Sequence, residues 1–199
     1  SEPVTAHGPW VQLKSGAALD LLTLTVEQAR AVVPDLISSI CTLPRFNGHT
    51  VGQPWTVGQH SLLVARLLER WGAPPEVVRE GLFHDLPEGV YGDWPSPVLR
   101  ALAQMARDAG CVDVVAAFRA RIDAAVRAAV NLPVDEHPLV RRADLVALAI
   151  ERRDLMAKCD RDWLLPEYAP TDFYIRPGDY GSTAESTRYL ITDKLSRLP

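Results

Sequence analysis

Residues 81 to 97 read GLFHDLPEGVYGDWPSP, and the adjacent His84 and Asp85 inside that stretch decide how the rest of the chain is read. Neighbouring side chains on a helix point about 100° apart, so both can grip one ion from two directions without straddling the helix. An imidazole and a carboxylate suit a divalent ion such as Mn, Fe, Co, Ni or Zn. Two ligands hold such an ion poorly, so further histidine and aspartate should arrive from other helices. The chain offers His60 upstream and Asp144 downstream.

Working outward, Gly72-Ala-Pro-Pro75 is a stop followed by a start, because proline is tolerated in the first helical turn. The spacing predicts a helix over about 75–86 with the His84-Asp85 pair near its end. Upstream, Leu43 to Ser61 is rich in Gly, Pro and aromatics and reads as a loop, with a helix resuming near Val57 and running to about Trp71. Before that, Thr25 is a candidate N-cap of a helix to about Cys41 that Pro34 should break or kink. Two short apolar runs around Ser15-Gly16 suggest a β-hairpin within the first 25 residues.

Downstream, a turn at Gly92-Asp-Trp-Pro-Ser-Pro97 precedes a helix to about Ala109. Residues Val112 to Val130 follow as a long amphipathic helix, and Glu136 to Lys158 as another, with Asp144 on its apolar side. Residues 160–182 read as irregular, and a closing helix runs from about Thr183 to Leu198. The fold expected is all-α, a helical bundle with a small N-terminal β-hairpin, in one domain over residues 1–199.

With 199 residues, 47% hydrophobic and 23% charged, the chain is long enough for one full-sized core. A net charge of -4 argues against binding to a nucleic acid polymer or to an acidic membrane, and leaves room for a local basic pocket that holds a small anion. Three cysteines, Cys41, Cys111 and Cys159, lie far apart with no CxxC pair, which suits reduced thiols that pack rather than bridge. No apolar run reaches the roughly 18 residues of a spanning helix, and no secretory segment is seen, so a soluble cytoplasmic protein is expected.

His60, the His84-Asp85 pair and Asp144 fall on three expected helices, which is how a bundle builds a metal site in its core. A lone histidine on an apolar helix reads first as a hydrogen-bonded core residue. The contiguous His84-Asp85 pair, and Asp144 as a carboxylate costly to bury uncompensated on an apolar face, bring a cation site level with that reading.

Taken in order, PRFNGH (44–49), GQHSLLVA (58–65), LFHDLPE (82–88), YGDWPSP (91–97) and RRADLVALAIERRDLM (141–156) resemble the HD-domain superfamily of metal-dependent phosphohydrolases. Within it, they resemble the branch of bacterial 5'-deoxynucleotidases and phage deoxynucleoside triphosphohydrolases of the dATP type. The resemblance spans about residues 10–195. It implies that His60, His84, Asp85 and Asp144 bind the metal, with Mn, Co, Zn, Fe or Ni as candidates and Mg as a candidate second ion. Glu88, three residues after Asp85, would orient or deprotonate the attacking water, and Asp93 would assist proton transfer beside the reacting phosphorus.

The resemblance further implies that Arg45 grips the substrate phosphate, that Phe46 lines the sugar and base pocket, and that Gly48 and Pro97 form pocket wall. Where relatives often carry a second phosphate-binding lysine after the PSP word, this chain has Leu99 and then Arg100, so Arg100 is the candidate to replace it. His137, Glu151, Arg152 and Arg153 read as helix-surface charge or intersubunit contacts, and Trp163 as packing. The activity expected is hydrolysis of a deoxynucleoside triphosphate to deoxynucleoside and triphosphate. The alternatives are a 5'-deoxynucleotidase acting on monophosphates and a nucleotide sensor without turnover. The substrate is a small molecule, a homo-oligomer is implied, and the setting is bacterial or phage-encoded.

Overall fold

The structure is a computed structural model and describes residues 8–198. A two-stranded antiparallel hairpin opens the described chain: β1 (Trp10–Gln12) pairs with β2 (Ala18–Asp20), Val11 opposite Leu19. Everything that follows is helical or loop, which makes the protein all-α with an N-terminal hairpin, as the sequence implies.

Thr25 caps α1 (Val26–Ala31) through a reciprocal box with Gln28. The helix then breaks at Val32, and Pro34 sits in the first turn of α2 (Val33–Ile40), where its missing N–H costs nothing. A second box, Thr56 with Gln59, starts α3 (Val57–Arg70), and eleven of that helix's residues are buried, His60 among them. The Gln59 amide also donates to the carbonyls of Asp179 and Gly181, 2.9 Å each, and so ties the irregular segment before α9 (Ala184–Ser196) to the head of α3.

Helix α4 (Pro75–Phe83) packs closely on α3: a Cβ on Gly81 would lie 2.3 Å from Leu68 Cδ1, so a larger residue there would make the Leu68 side chain shift. The helix ends at Phe83, three residues short of the span expected from sequence. Pro87 has no N–H to return to Phe83, and the chain tightens into i→i−3 bonds, Leu86 to Phe83 and Glu88 to Asp85, both 3.0 Å. His84 and Asp85 therefore sit in a tightened turn between α4 and the one-turn helix α5 (Glu88–Tyr91). Gly89 lets α5 press on α2, since a Cβ there would lie 3.0 Å from the Leu36 carbonyl oxygen.

Helix α6 (Ser96–Asp108) has no buried residue, whereas α7 (Val114–Ala129) and α8 (Pro138–Leu155) both enter the core. Glu80 joins three elements: its Oε1 accepts from Arg127 Nη2 on α7 and from the His137 backbone N–H, 2.9 Å each. His137 is the N-cap of α8 and accepts from the Leu139 N–H through Nδ1, 3.1 Å, which corrects the surface or intersubunit role expected for it. Cys41 is buried as expected of a packing thiol, but Cys111 and Cys159 are exposed. No helix among the described residues is long and apolar enough to cross a membrane.

Candidate metal centre

Three parts of the chain deliver ligands to one point: His60 from the first turn of α3, His84 and Asp85 from the turn after α4, and Asp144 from α8. His60, His84 and Asp144 each present a ligand atom within 4.8 Å of the others. His60 Nε2 lies 3.1 Å from Asp144 Oδ1 and 3.5 Å from Asp85 Oδ2. His84 Nε2 lies 3.2 Å from Asp85 Oδ2 and 4.0 Å from Asp144 Oδ1.

The outer nitrogens decide what the inner ones can do. His60 Nδ1 is 2.7 Å from Glu151 Oε1, and His84 Nδ1 is 2.7 Å from the Gly81 carbonyl oxygen. Both partners accept only, so each Nδ1 carries the proton, and in the neutral ring Nε2 keeps its lone pair. Both Nε2 atoms are buried and have no aligned hydrogen-bond partner. Two lone pairs and the Asp144 carboxylate, with Asp85 alongside, form a donor set that could hold a divalent metal ion, with the outer nitrogens oriented as ligating imidazoles usually are. The residues fit a metal ion.

Electrostatics agree that this point attracts positive charge. Burial presses His84 down, but Asp85 and Asp144 raise it to about 10. Burial and Arg45 press His60 down, yet Glu151 and Asp144 leave it raised. Burial alone would raise Asp85, but His84, His60 and Arg45 hold it well below the ordinary carboxylate range. Asp144 is likewise lowered, by His60 against the effect of burial.

Glu151 is the residue the sequence reading missed. It is 0% exposed, and its carboxylate collects the His60 ring, the Trp55 indole N–H at 2.8 Å, and Arg45 through Nε and Nη2 at 3.2 Å each. Its pKa is lowered: Arg45 and His60 outweigh burial. The signal was present, because Glu151 stands seven residues after Asp144, two helical turns along and so on the same face.

Arg45 is buried, with Nη1 3.6 Å from Asp85 Oδ2. It sits at the start of a 3-10 turn, Arg45–Gly48, whose ends are pinned by the Arg45 N–H to Trp55 and the Val57 N–H to Leu43. Phe46 and Asn47 both take left-handed backbone there, φ 54° and 52°, a strain of about 1–2 kcal/mol for each non-glycine residue. The Phe46 ring stands 5.9 Å from Trp163, and Arg152 lies over Trp163 at 5.4 Å. Trp163 and Arg152 line a cavity of about 1000 Å³ beyond α8. Gly48 has φ 78° and open space around it.

Glu88 is buried with Oε2 lacking a partner, and burial, Asp85 and Asp93 push its pKa well above the ordinary value. Asp93 is half-buried and also raised, by burial first. Pro97 and Arg100 are exposed on α6, and among the described residues no ion pair or side-chain hydrogen bond ties Arg100 to the centre.

No protein-family model matches the sequence. The chain is 32% identical to the uncharacterized Escherichia coli (strain K12) protein YfdR over 139 residues, 70% of this chain and 69% of that protein. It is 29% identical to an uncharacterized Rhodobacter capsulatus protein over 167 residues, 79% of this chain and 81% of the other.

Proposed function

This chain belongs to one family with the Escherichia coli protein YfdR, and we propose that its buried centre makes it a metal-dependent phosphohydrolase of deoxynucleotides, in first place a deoxynucleoside triphosphate triphosphohydrolase of the dATP type. The observation that carries the proposal is the convergence of the Nε2 atoms of His60 and His84 and the Asp144 carboxylate, with Asp85 alongside, next to a buried arginine. A bound divalent ion supplies Lewis acidity, bringing a water toward ionisation at neutral pH and polarising a phosphoryl oxygen.

The chain's own groups do the rest. Arg45 is fixed by Glu151 through Nε and Nη2, which turns Nη1, 3.6 Å from Asp85 Oδ2, toward the centre where a phosphate oxygen would meet it. Glu88 takes the proton as the water oxygen bonds to the α-phosphorus, a role open to a carboxyl whose Oε2 has no partner and whose pKa is raised above the ordinary value. The bond from that phosphorus to the 5' oxygen breaks, Asp93 returns a proton to the leaving deoxynucleoside, and triphosphate remains. The Phe46 ring beside Trp163 offers an apolar wall for sugar and base.

A second reading, a 5'-deoxynucleotidase, draws on the exposure of Arg100, which leaves α6 without a cation aimed at the centre. The same atoms serve that reaction on a monophosphate. All deoxynucleoside mono- and triphosphates, assayed with Mn, Co, Zn and Mg for released phosphate or triphosphate, separate the two. No release from any member of the panel retires the proposal.

A further inference from the structure

A cavity of about 420 Å³ opens off the metal centre, within the size range of pockets that hold small ligands. His84 and Asp85 belong to its lining, and the remainder comes mainly from Tyr91 on α5 and from Arg119, Asp123 and Arg127 on α7. Most of these polar groups are already spent. Arg127 donates through Nη2 to Glu80 and through Nε to the Pro133 carbonyl, 2.9 Å each. Asp123 accepts from the Tyr91 hydroxyl at 2.8 Å, and burial, the largest influence on it, raises its pKa above the ordinary value. Glu136, on the lining too, is partly desolvated, and burial raises its pKa above the ordinary value.

Arg119 is less fully engaged: burial presses its pKa down, and Tyr91 and Asp123 beside it raise it. Its guanidinium lies 5.2 Å from the Tyr91 ring centroid, and its Nε is buried without a hydrogen-bond partner. A buried guanidinium N–H with no acceptor is costly, and an anionic oxygen answers it with a charge-assisted bond.

We propose that this cavity is the subsite for the phosphates beyond the reacting one, with Arg119 as their ligand. The inference rests on reading the centre as a phosphohydrolase and deepens it: the subsite favours a polyphosphate over a monophosphate. Base and phosphate tail then occupy different spaces, the first by Phe46 and Trp163, the second between Tyr91 and α7.

The test is calorimetric and needs no turnover. Manganese-loaded protein is titrated with tripolyphosphate added as its manganese complex, and in parallel with orthophosphate and with a deoxynucleoside. Arg119→Ala and Arg119→Gln are expected to lose roughly 10- to 100-fold in tripolyphosphate affinity. Orthophosphate affinity and manganese content should stay as in the unaltered protein, and Arg119→Lys should recover part of the loss. Should Arg119→Ala fail to fold, Arg119→Gln, closer in size, carries the test.

Tripolyphosphate affinity kept within about twofold, an equal loss of orthophosphate or manganese, or a loss confined to the deoxynucleoside overturns the subsite. Arg119-dependent tripolyphosphate binding in a protein that hydrolyses no deoxynucleotide supports the subsite and retires the phosphohydrolase reading. Hydrolysis with Arg119-independent binding retires the subsite alone.

Discussion

Glu151 and Glu88 are both buried beside the His60 and His84 pair, yet their surroundings are opposite. Glu151 is met by three donors from α3, the loop before it and the Arg45 turn, and is held ionised. Glu88 has an oxygen with no partner and two acidic neighbours, Asp85 and Asp93, and is held toward the protonated state. A carboxylate whose lone pairs are all engaged can only orient others. One left unpartnered, with its pKa raised, can exchange a proton. One wall of the site is thus braced and the other open, and the two should respond to substitution in different currencies.

The largest expected effect separates ligand from proton carrier. Asp85→Ala should lose bound metal and all measurable hydrolysis, because one of four donors is gone. Glu88→Ala should keep the metal and lose turnover by roughly 10²- to 10⁴-fold. Metal content by atomic emission, alongside kcat, checks both, and equal metal loss in the two variants would show the roles to be misassigned.

Next in size is the braced wall itself. Glu151→Gln keeps an oxygen for the Trp55 indole but removes the charge that holds Arg45 and fixes the His60 tautomer. Metal affinity should fall about 10- to 100-fold, and activity should return at raised metal concentration. Breaking the buried pair should also cost about 3 kcal/mol of stability, read by denaturant unfolding. A variant with unchanged metal affinity would reduce Glu151 to a packing role.

The open wall should show the opposite sign. Glu88 has a folded pKa above its unfolded one, so the folded state holds the extra proton between them. Stability is therefore lost as pH rises from the ordinary value of 4.5 toward the folded one. Glu88→Gln cannot ionise and escapes that loss. In chelator its Tm should exceed that of the unaltered protein by a few degrees at pH 7.5, and the gap should close near pH 4.5. A gap that does not change with pH would mean Glu88 is not held protonated.

What sequence made visible follows the same division. His60, His84, Asp85 and Asp144 stand out because each is a polar ligand type in an apolar helical pattern, and Thr25 and Thr183 mark helix starts because a hydroxyl at an N-cap has a local reason. Glu151 did not stand out because it opens Glu-Arg-Arg-Asp, a run that looks solvated, and its partners Arg45 and Trp55 are 106 and 96 residues away. The early end of α4 was hidden for a related reason. Pro87 comes after the helical pattern, and its effect falls on Phe83, four residues back. Arg119 carried no signal at all, since only the fold sets an arginine of an Ala-rich helix beside His84 and Asp85.

The smallest effect is chemical labelling, and it reports whether the braced wall is closed. Cys41 lies against the start of α3, with its Sγ 3.1 Å from where a Cβ on Gly58 would stand, two residues before His60. Burial, opposed weakly by Arg188, pushes this thiol up to about 12, so it offers almost no thiolate at neutral pH. Cys111 and Cys159 are exposed and free. A disulfide reagent at pH 8 should therefore modify two thiols quickly and Cys41 only as the fold opens. Glu151→Gln should quicken the slow phase, because loosening the brace lets α3 open more often, while Glu88→Gln should not. Three thiols reacting together in the native protein would mean that the wall behind His60 is not closed, and the contrast between the two glutamates would lose its structural basis.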